Sequence, residues 1–197
     1  MTSSDSPREI INKVVTNHVH AIEETARILN VETLKEAIDV LCNAGRIDIF
    51  GIGASGLVAM DMQQKFIRIG KHCQAFQDIH LQLTSASSLG KNDAAVFISY
   101  SGQTREILSC LRFVKTLGVK TIAITKSVSG QLSKQADIVL NVCSPEISVR
   151  SGAMSSRITQ LAIVDILFIS VAGRNYNKTQ ELLRRSWECV QDRKYKK

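Results

Sequence analysis

The chain has 197 residues and a mass of 21.7 kDa, the size of one globular unit rather than two. Hydrophobic residues make up 44% and only two residues are proline, which excludes a long disordered tail or a collagen-like repeat. The net charge of +7 is concentrated at the end of the chain: residues 184–197 hold six basic residues against Glu188 and Asp192, leaving only +3 on the other 183 residues, too little for a nucleic-acid-binding surface on the body of the domain.

The first 45 residues read as helices. Ile22, Ala26 and Leu29 keep a helical stripe, Leu34, Ile38 and Leu41 continue it up to Gly45, and the break falls at Asn30 to Glu32. From Arg46 the texture changes to short apolar runs: Ile47 to Phe50, Cys73 to Phe76, Ala94 to Ile98, Thr121 to Thr125 and Ile138 to Val142. Between them lie helical segments at 56–69, about 79–88, 104–117 and 127–135. Val58, Met62, Phe66 and Ile69 in the first, and Ile107, Leu111, Val114 and Leu117 in the third, follow helical spacing. A long apolar helix from about Ala153 to Ala172 and a polar one from about Lys178 to Arg193 close the chain. The alternation predicts an α/β fold, a three-layer αβα sandwich around a five-stranded, parallel, doubly wound sheet. Residues 1–45 are expected to pack as N-terminal helices on a domain spanning 46–197, one globular unit overall.

In an open parallel sheet, ligands bind beyond the carboxyl ends of the strands, where the following helices aim their first amides at the ligand. The first such turn is Gly51-Ile52-Gly53-Ala54-Ser55-Gly56, in which glycines let backbone approach an anion and Ser55 either caps a helix or donates its hydroxyl. It formally matches G-x-G-x-x-G, and Asp78 lies where a ribose-binding acid would sit, so NAD is one candidate ligand; Asp78 is equally suited to capping the next helix. The third strand ends in Ser99-Tyr100-Ser101-Gly102-Gln103-Thr104, three hydroxyls besides the tyrosine at a helix start. Two hydroxyl-bearing turns on neighbouring strand ends suit a terminal phosphate with a sugar attached. After the fifth strand, Glu146 is a candidate for sugar hydroxyls or for the base of an aldose-ketose isomerase, and Arg150 and Arg157 for a second anionic group.

Gly51 to Gly56 and Ser99 to Thr104, at this spacing, resemble the two signature turns of the sugar isomerase (SIS) domain, and the resemblance extends over roughly residues 30 to 175. Gln77-Asp78-Ile79-His80 and the loop Glu146 to Arg157 resemble more closely the C-terminal sugar-phosphate-sensing domain of RpiR-type transcriptional regulators. The resemblance implies that Ser55, Ser99, Ser101 and Thr104 hold the phosphate, with Gln103 adding a backbone or amide contact. It also implies a helix-turn-helix ahead of the domain; none is readable here, so DNA would be met only through a segment this chain does not contain.

An isomerase needs acid-base groups, and of His18, His20, His72 and His80 only His80 lies beside the ligand edge. Catalysis would then rest on Glu146 and His80. The favoured expectation is a sensor of a phosphorylated sugar or amino sugar, with N-acetylmuramic acid 6-phosphate the first candidate because Arg150 and Arg157 exceed what a neutral sugar requires. No cofactor is expected. Five cysteines, odd in number and free of any CxxC pair, indicate neither a disulfide framework nor a metal site and read as reduced, small core residues. The most apolar run, Leu161 to Ala172, is interrupted by Asp165 and short for a bilayer, so a cytoplasmic protein with no membrane partner is expected. Ile158, Leu161, Ala162, Asp165, Ile166 and Ile169 form a face whose burial calls for a homodimer or tetramer.

Overall fold

A computed structural model describes residues 5–126, 130–144 and 153–191. Helix α1 (Pro7–Ile28) starts at Ser6, whose Oγ accepts from the Glu9 amide while the Glu9 carboxylate accepts from the Ser6 amide, with Pro7 at the first helical position. Asn30 caps α2 (Val31–Asn43) by accepting from Thr33 N–H at 2.9 Å, which fixes the break between the two helices.

Five parallel strands follow, β1 (Ile47–Gly51), β2 (Cys73–Ala75), β3 (Ala94–Ile98), β4 (Lys120–Thr125) and β5 (Ile138–Asn141), in the order β2-β1-β3-β4-β5. The intervening helices are α3 (Ala54–Arg68), α4 (Ile79–Ala86), α5 (Arg105–Thr116) and α6 (Gln131–Gln135); α7 (Met154–Arg174) and α8 (Tyr176–Gln191) complete the chain. Of the predicted segment 127–135, residues 127–129 lie outside the described residues.

The strands are apolar on both faces because both faces are covered. Ala94, Val96 and Ile98 point into a core shared with α2, α3 and α7, where Leu41, Met62, Phe66, Ile163 and Leu167 are fully buried. Ala95 and Phe97 point the other way, into a core with Ile107, Leu111 and Leu132 of α5 and α6, and Phe97 stacks on Phe50 of β1 at 4.8 Å. A buried charge ties α4 to the sheet: Asp48, 1% exposed, accepts from the Arg46 guanidinium at 2.7 and 2.8 Å and from Ser85 Oγ at 2.6 Å. The three layers and the doubly wound sheet are as the sequence predicts.

Three local expectations are corrected. The stripe Ile22, Ala26, Leu29 is not the buried face of α1; Ile22 and Ala26 are exposed, and the residues facing the body are Ala21 and Thr25, whose small side chains let α1 approach α7. The apolar run at Leu161 belongs to a 21-residue helix, the one among the described residues long and apolar enough to cross a membrane. That helix packs against α1, α2 and α3 with Ser156, Thr159 and Gln160 buried, the pattern of a core helix, while Ile169 stays 67% exposed. Not all cysteines are core residues: burial pushes the thiols of Cys73 and Cys110 up to about 12, but Cys189 is exposed on α8.

Candidate phosphate-binding site

The sheet order reverses between β1 and β3, and the strand register lines up the two turns there: Gly51 at the end of β1 pairs with Ile98 at the end of β3. The glycine-rich turn and the Ser99 turn therefore leave the sheet side by side.

In the first turn Gly51 is required by close approach, since a Cβ there would meet the Ser55 carbonyl oxygen at 2.6 Å. Gly53 occupies the N-cap position of α3, and no side chain caps that helix. Ser55 is thus not a helix cap; its half-buried hydroxyl lies 3.4 Å from the amide of Gln160, a residue 1% exposed on α7. Gln82 of α4 holds the turn from beneath, donating to Gly51 O at 2.9 Å and to Phe76 O at 2.7 Å.

In the second turn Ser99 is buried, Thr104 half-buried, and Ser101 and Gln103 exposed. Gly102 has φ +63, a conformation open to glycine, and its N–H closes the turn on Ser99 O at 3.1 Å. Thr104 stands at the N-cap of α5 yet its hydroxyl does not cap; Oγ1 lies 3.2 Å from Ser99 Oγ. Ser101 Oγ accepts from Gln103 N–H at 3.3 Å. Of the other helices, α1, α2 and α4 are capped by side chains, whereas α6 and α7 are not. Helices α3 and α5 so begin beside each other with hydroxyls at hand and no side-chain cap, the arrangement in which a phosphate accepts from amides and hydroxyls together.

The turns are anchored behind. Lys126 N–H donates to Tyr100 O, the Lys126 ammonium stands 5.5 Å over the Tyr100 ring, and Tyr100 OH donates to Ser144 O at 3.2 Å. Asp78 caps α4, accepting from Leu81 N–H at 2.9 Å, and His80 is exposed on the same helix. Arg157 is half-buried in the first turn of α7, whose N-cap Ala153 has φ 53. Glu146 and Arg150 lie outside the described residues. A cavity of about 480 Å³ with Lys71, His72, Arg174 and Lys178 lies at the opposite end of the strands, where α2, α3 and α7 end, and Lys71 donates to Cys42 O in the last turn of α2.

Gln160, Gln82 and Thr25 were not singled out by the sequence. Each is a polar residue on a buried helix face, which was the available signal for Gln160 among Ile163, Val164 and Leu167.

A family model described as the SIS domain matches residues 40–170. An uncharacterized HTH-type transcriptional regulator of Caldanaerobacter subterraneus is 46% identical over 194 residues, 98% of this chain and 69% of that protein. The HTH-type transcriptional regulator RpiR of Escherichia coli K12 is 34% identical over 186 residues, 94% of this chain and 63% of that protein. Among solved structures, the Vibrio vulnificus NanR protein complexed with ManNAc-6P superimposes with a TM-score of 0.89 at 25% identity, covering 98% of this chain and 72% of that one. The chain spans about two thirds of the length of these curated relatives.

Proposed function

Because the chain belongs to the SIS domain family and its relatives are RpiR-type regulators, we propose that it is the sugar-phosphate-sensing domain of a bacterial transcriptional regulator. The observation that carries this reading is the pairing of Gly51 with Ile98, which sets two hydroxyl-bearing turns and two helix starts without side-chain caps next to each other. Ser55, Ser99, Ser101 and Thr104, with Gln103, are the residues we assign to the phosphate. Glu146 and Arg150, assigned on sequence grounds alone, together with Arg157, serve the sugar end. Asp78 accepts from the Leu81 amide as the cap of α4, a structural role that requires no dinucleotide.

The ligand class we propose is an N-acetylated amino-sugar 6-phosphate, and N-acetylmuramic acid 6-phosphate is the first candidate. Its lactyl carboxylate would occupy the surplus guanidinium of Arg150 or Arg157. The ManNAc-6P held by the Vibrio NanR protein supports the class. The domain would work in the cytoplasm as at least a dimer, with DNA bound through a segment outside these residues; half-exposed Leu161 and Ile166 and exposed Ile169 on α7 support self-association.

Thermal unfolding with N-acetylmuramic acid, N-acetylglucosamine and N-acetylmannosamine 6-phosphates, and with NAD, tests the reading. A phosphosugar at a hundredfold excess over its Kd stabilises the fold by about 2.7 kcal/mol and raises the midpoint. No response to any phosphosugar, or a response to NAD alone, overturns it. Conversion of a phosphosugar to its isomer would move the chain to the enzymes, with Glu146 and His80 as the acid-base pair. Calorimetry on Arg150→Lys and Arg157→Lys then decides the carboxylate: unchanged preference for the muramic ligand removes it. A monomer in sedimentation at micromolar concentration overturns the dimer.

A further inference from the structure

Helix α1 is 22 residues long, yet only Ala21 and Thr25 are buried, and Ile11, Val15 and Val19 stand about half exposed. Its hold on the body is therefore concentrated in a few contacts near its end. One of these is unusual for a helix surface. Thr25, 1% exposed, presents Oγ1 to the backbone just past β5: it accepts from Cys143 N–H at 3.0 Å and donates to Cys143 O at 3.2 Å, filling both polar groups of that residue as a neighbouring strand would. The next residue, Ser144, accepts at its carbonyl from Tyr100 OH, and Tyr100 lies inside the turn that starts α5. Turn, Tyr100, Ser144, Cys143, Thr25 and α1 thus form one continuous path of hydrogen bonds and single peptide links, all of it among the described residues and largely shielded from water.

We infer that Thr25 couples the Ser99–Thr104 turn to α1, so that a phosphate ester in the turn restrains the helix. The inference rests on the reading of that turn as a phosphate site and adds to it which part of the chain registers occupation. The physical reason is that a phosphate drawing in the amides and hydroxyls of the turn fixes the Tyr100 backbone; the Tyr100 hydroxyl then holds Ser144, and the doubly bonded Cys143 holds α1 near its C-terminal end, where its buried contacts lie. A bond network of this kind couples two sites only as far as both bias the same element, and here that element is α1.

Amide hydrogen exchange on the 197-residue chain, with inorganic phosphate and with N-acetylmannosamine 6-phosphate as probes, reads both ends of the path. In the unaltered chain a probe slows exchange at residues 99–104 and in the last two turns of α1. Thr25→Val keeps the side-chain shape but removes both bonds; without ligand, α1 exchanges roughly tenfold faster or more, as expected for losing two hydrogen bonds. In this variant the probe still protects 99–104 but no longer α1, whereas Thr25→Ser behaves as the unaltered chain. If Thr25→Val does not fold, Tyr100→Phe cuts the path at its other end and gives the same loss of protection in α1. Protection of α1 that survives these substitutions, or a protected turn with α1 unaffected in the unaltered chain, overturns the coupling. No protection at 99–104 with either probe overturns the phosphate site itself, and the coupling with it.

Discussion

Ser99 and Thr104 hold their hydroxyl oxygens 3.2 Å apart across the turn that starts α5. The pair turns Thr104 away from the role its position would give it, because a threonine at the N-cap ordinarily accepts from an amide in the first helical turn. Its partner Ser99 is buried at the end of β3; one of the two hydroxyls donates to the other, and no side chain caps the helix start beside them.

Ser101, exposed beside this pair, gives the simplest test of the turn. Ser101→Ala weakens phosphosugar binding by about 1 to 3 kcal/mol, the loss expected for a hydrogen bond to a charged group, and leaves folding stability within about 0.5 kcal/mol. Calorimetry and a melting curve measure the two effects; unchanged affinity with an intact fold removes the turn from the site.

Gln160→Leu separates positioning from packing. The substitution leaves Ser55 Oγ without the amide that lies 3.4 Å away, so phosphosugar affinity falls by about 0.5 to 1.5 kcal/mol. The buried face of α7 gains an apolar side chain beside Ile163 and Val164, so the melting temperature holds or rises. A variant that loses stability and keeps its affinity shows that Gln160 serves the core alone.

Two glycines respond in opposite directions to alanine. Gly51→Ala forces a Cβ to within 2.6 Å of the Ser55 carbonyl oxygen at the start of α3, and it destabilises by about 1 to 3 kcal/mol. Gly173→Ala near the end of α7 meets nothing within 4 Å and stabilises by about 0.5 to 1 kcal/mol through its helix propensity. Urea unfolding of both variants gives the signs.

Asp137 contributes to stability in a way that acid removes. Burial pushes its pKa up, but the Lys115 ammonium and the Thr121 hydroxyl and amide outweigh that and hold it below the usual carboxylate range. A carboxylate depressed in the folded state contributes stability above its unfolded pKa, near 4, and loses that contribution as pH falls through the folded value. Asp137→Asn is therefore less stable than the unaltered chain at pH 7, and the gap narrows below about pH 4. Denaturant midpoints across pH 3 to 7 measure it; a gap that does not change with pH would mean that only the hydrogen bonds matter.

The strands were legible because each is a short, largely apolar run; those of β1, β3 and β4 are closed by Gly51, Ser99 and Lys126, and β3 begins and ends where its run does. The two turns of the candidate site were legible because their glycines and hydroxyls are local in sequence. Partners far apart in the chain left no such mark. Nothing near Ser55 points to Gln160, 105 residues later, and nothing in α1 distinguishes Thr25 from a surface threonine until β5 ends beside it. The stripe through Ile22 misled because large apolar residues ordinarily mark a buried face, whereas here the close contact is made by small ones.

Helix α7 emerges late in synthesis but closes the side of the sheet that α2 and α3 begin. Ile49, Val96 and Ile124 bury against the core that Ile163, Val164 and Leu167 complete, so all five strands leave the ribosome before that side has its lid. A nascent chain paused before Met154 carries a paired sheet with an oily flank open to water, and it is at this stage that chaperones and proteases compete for it.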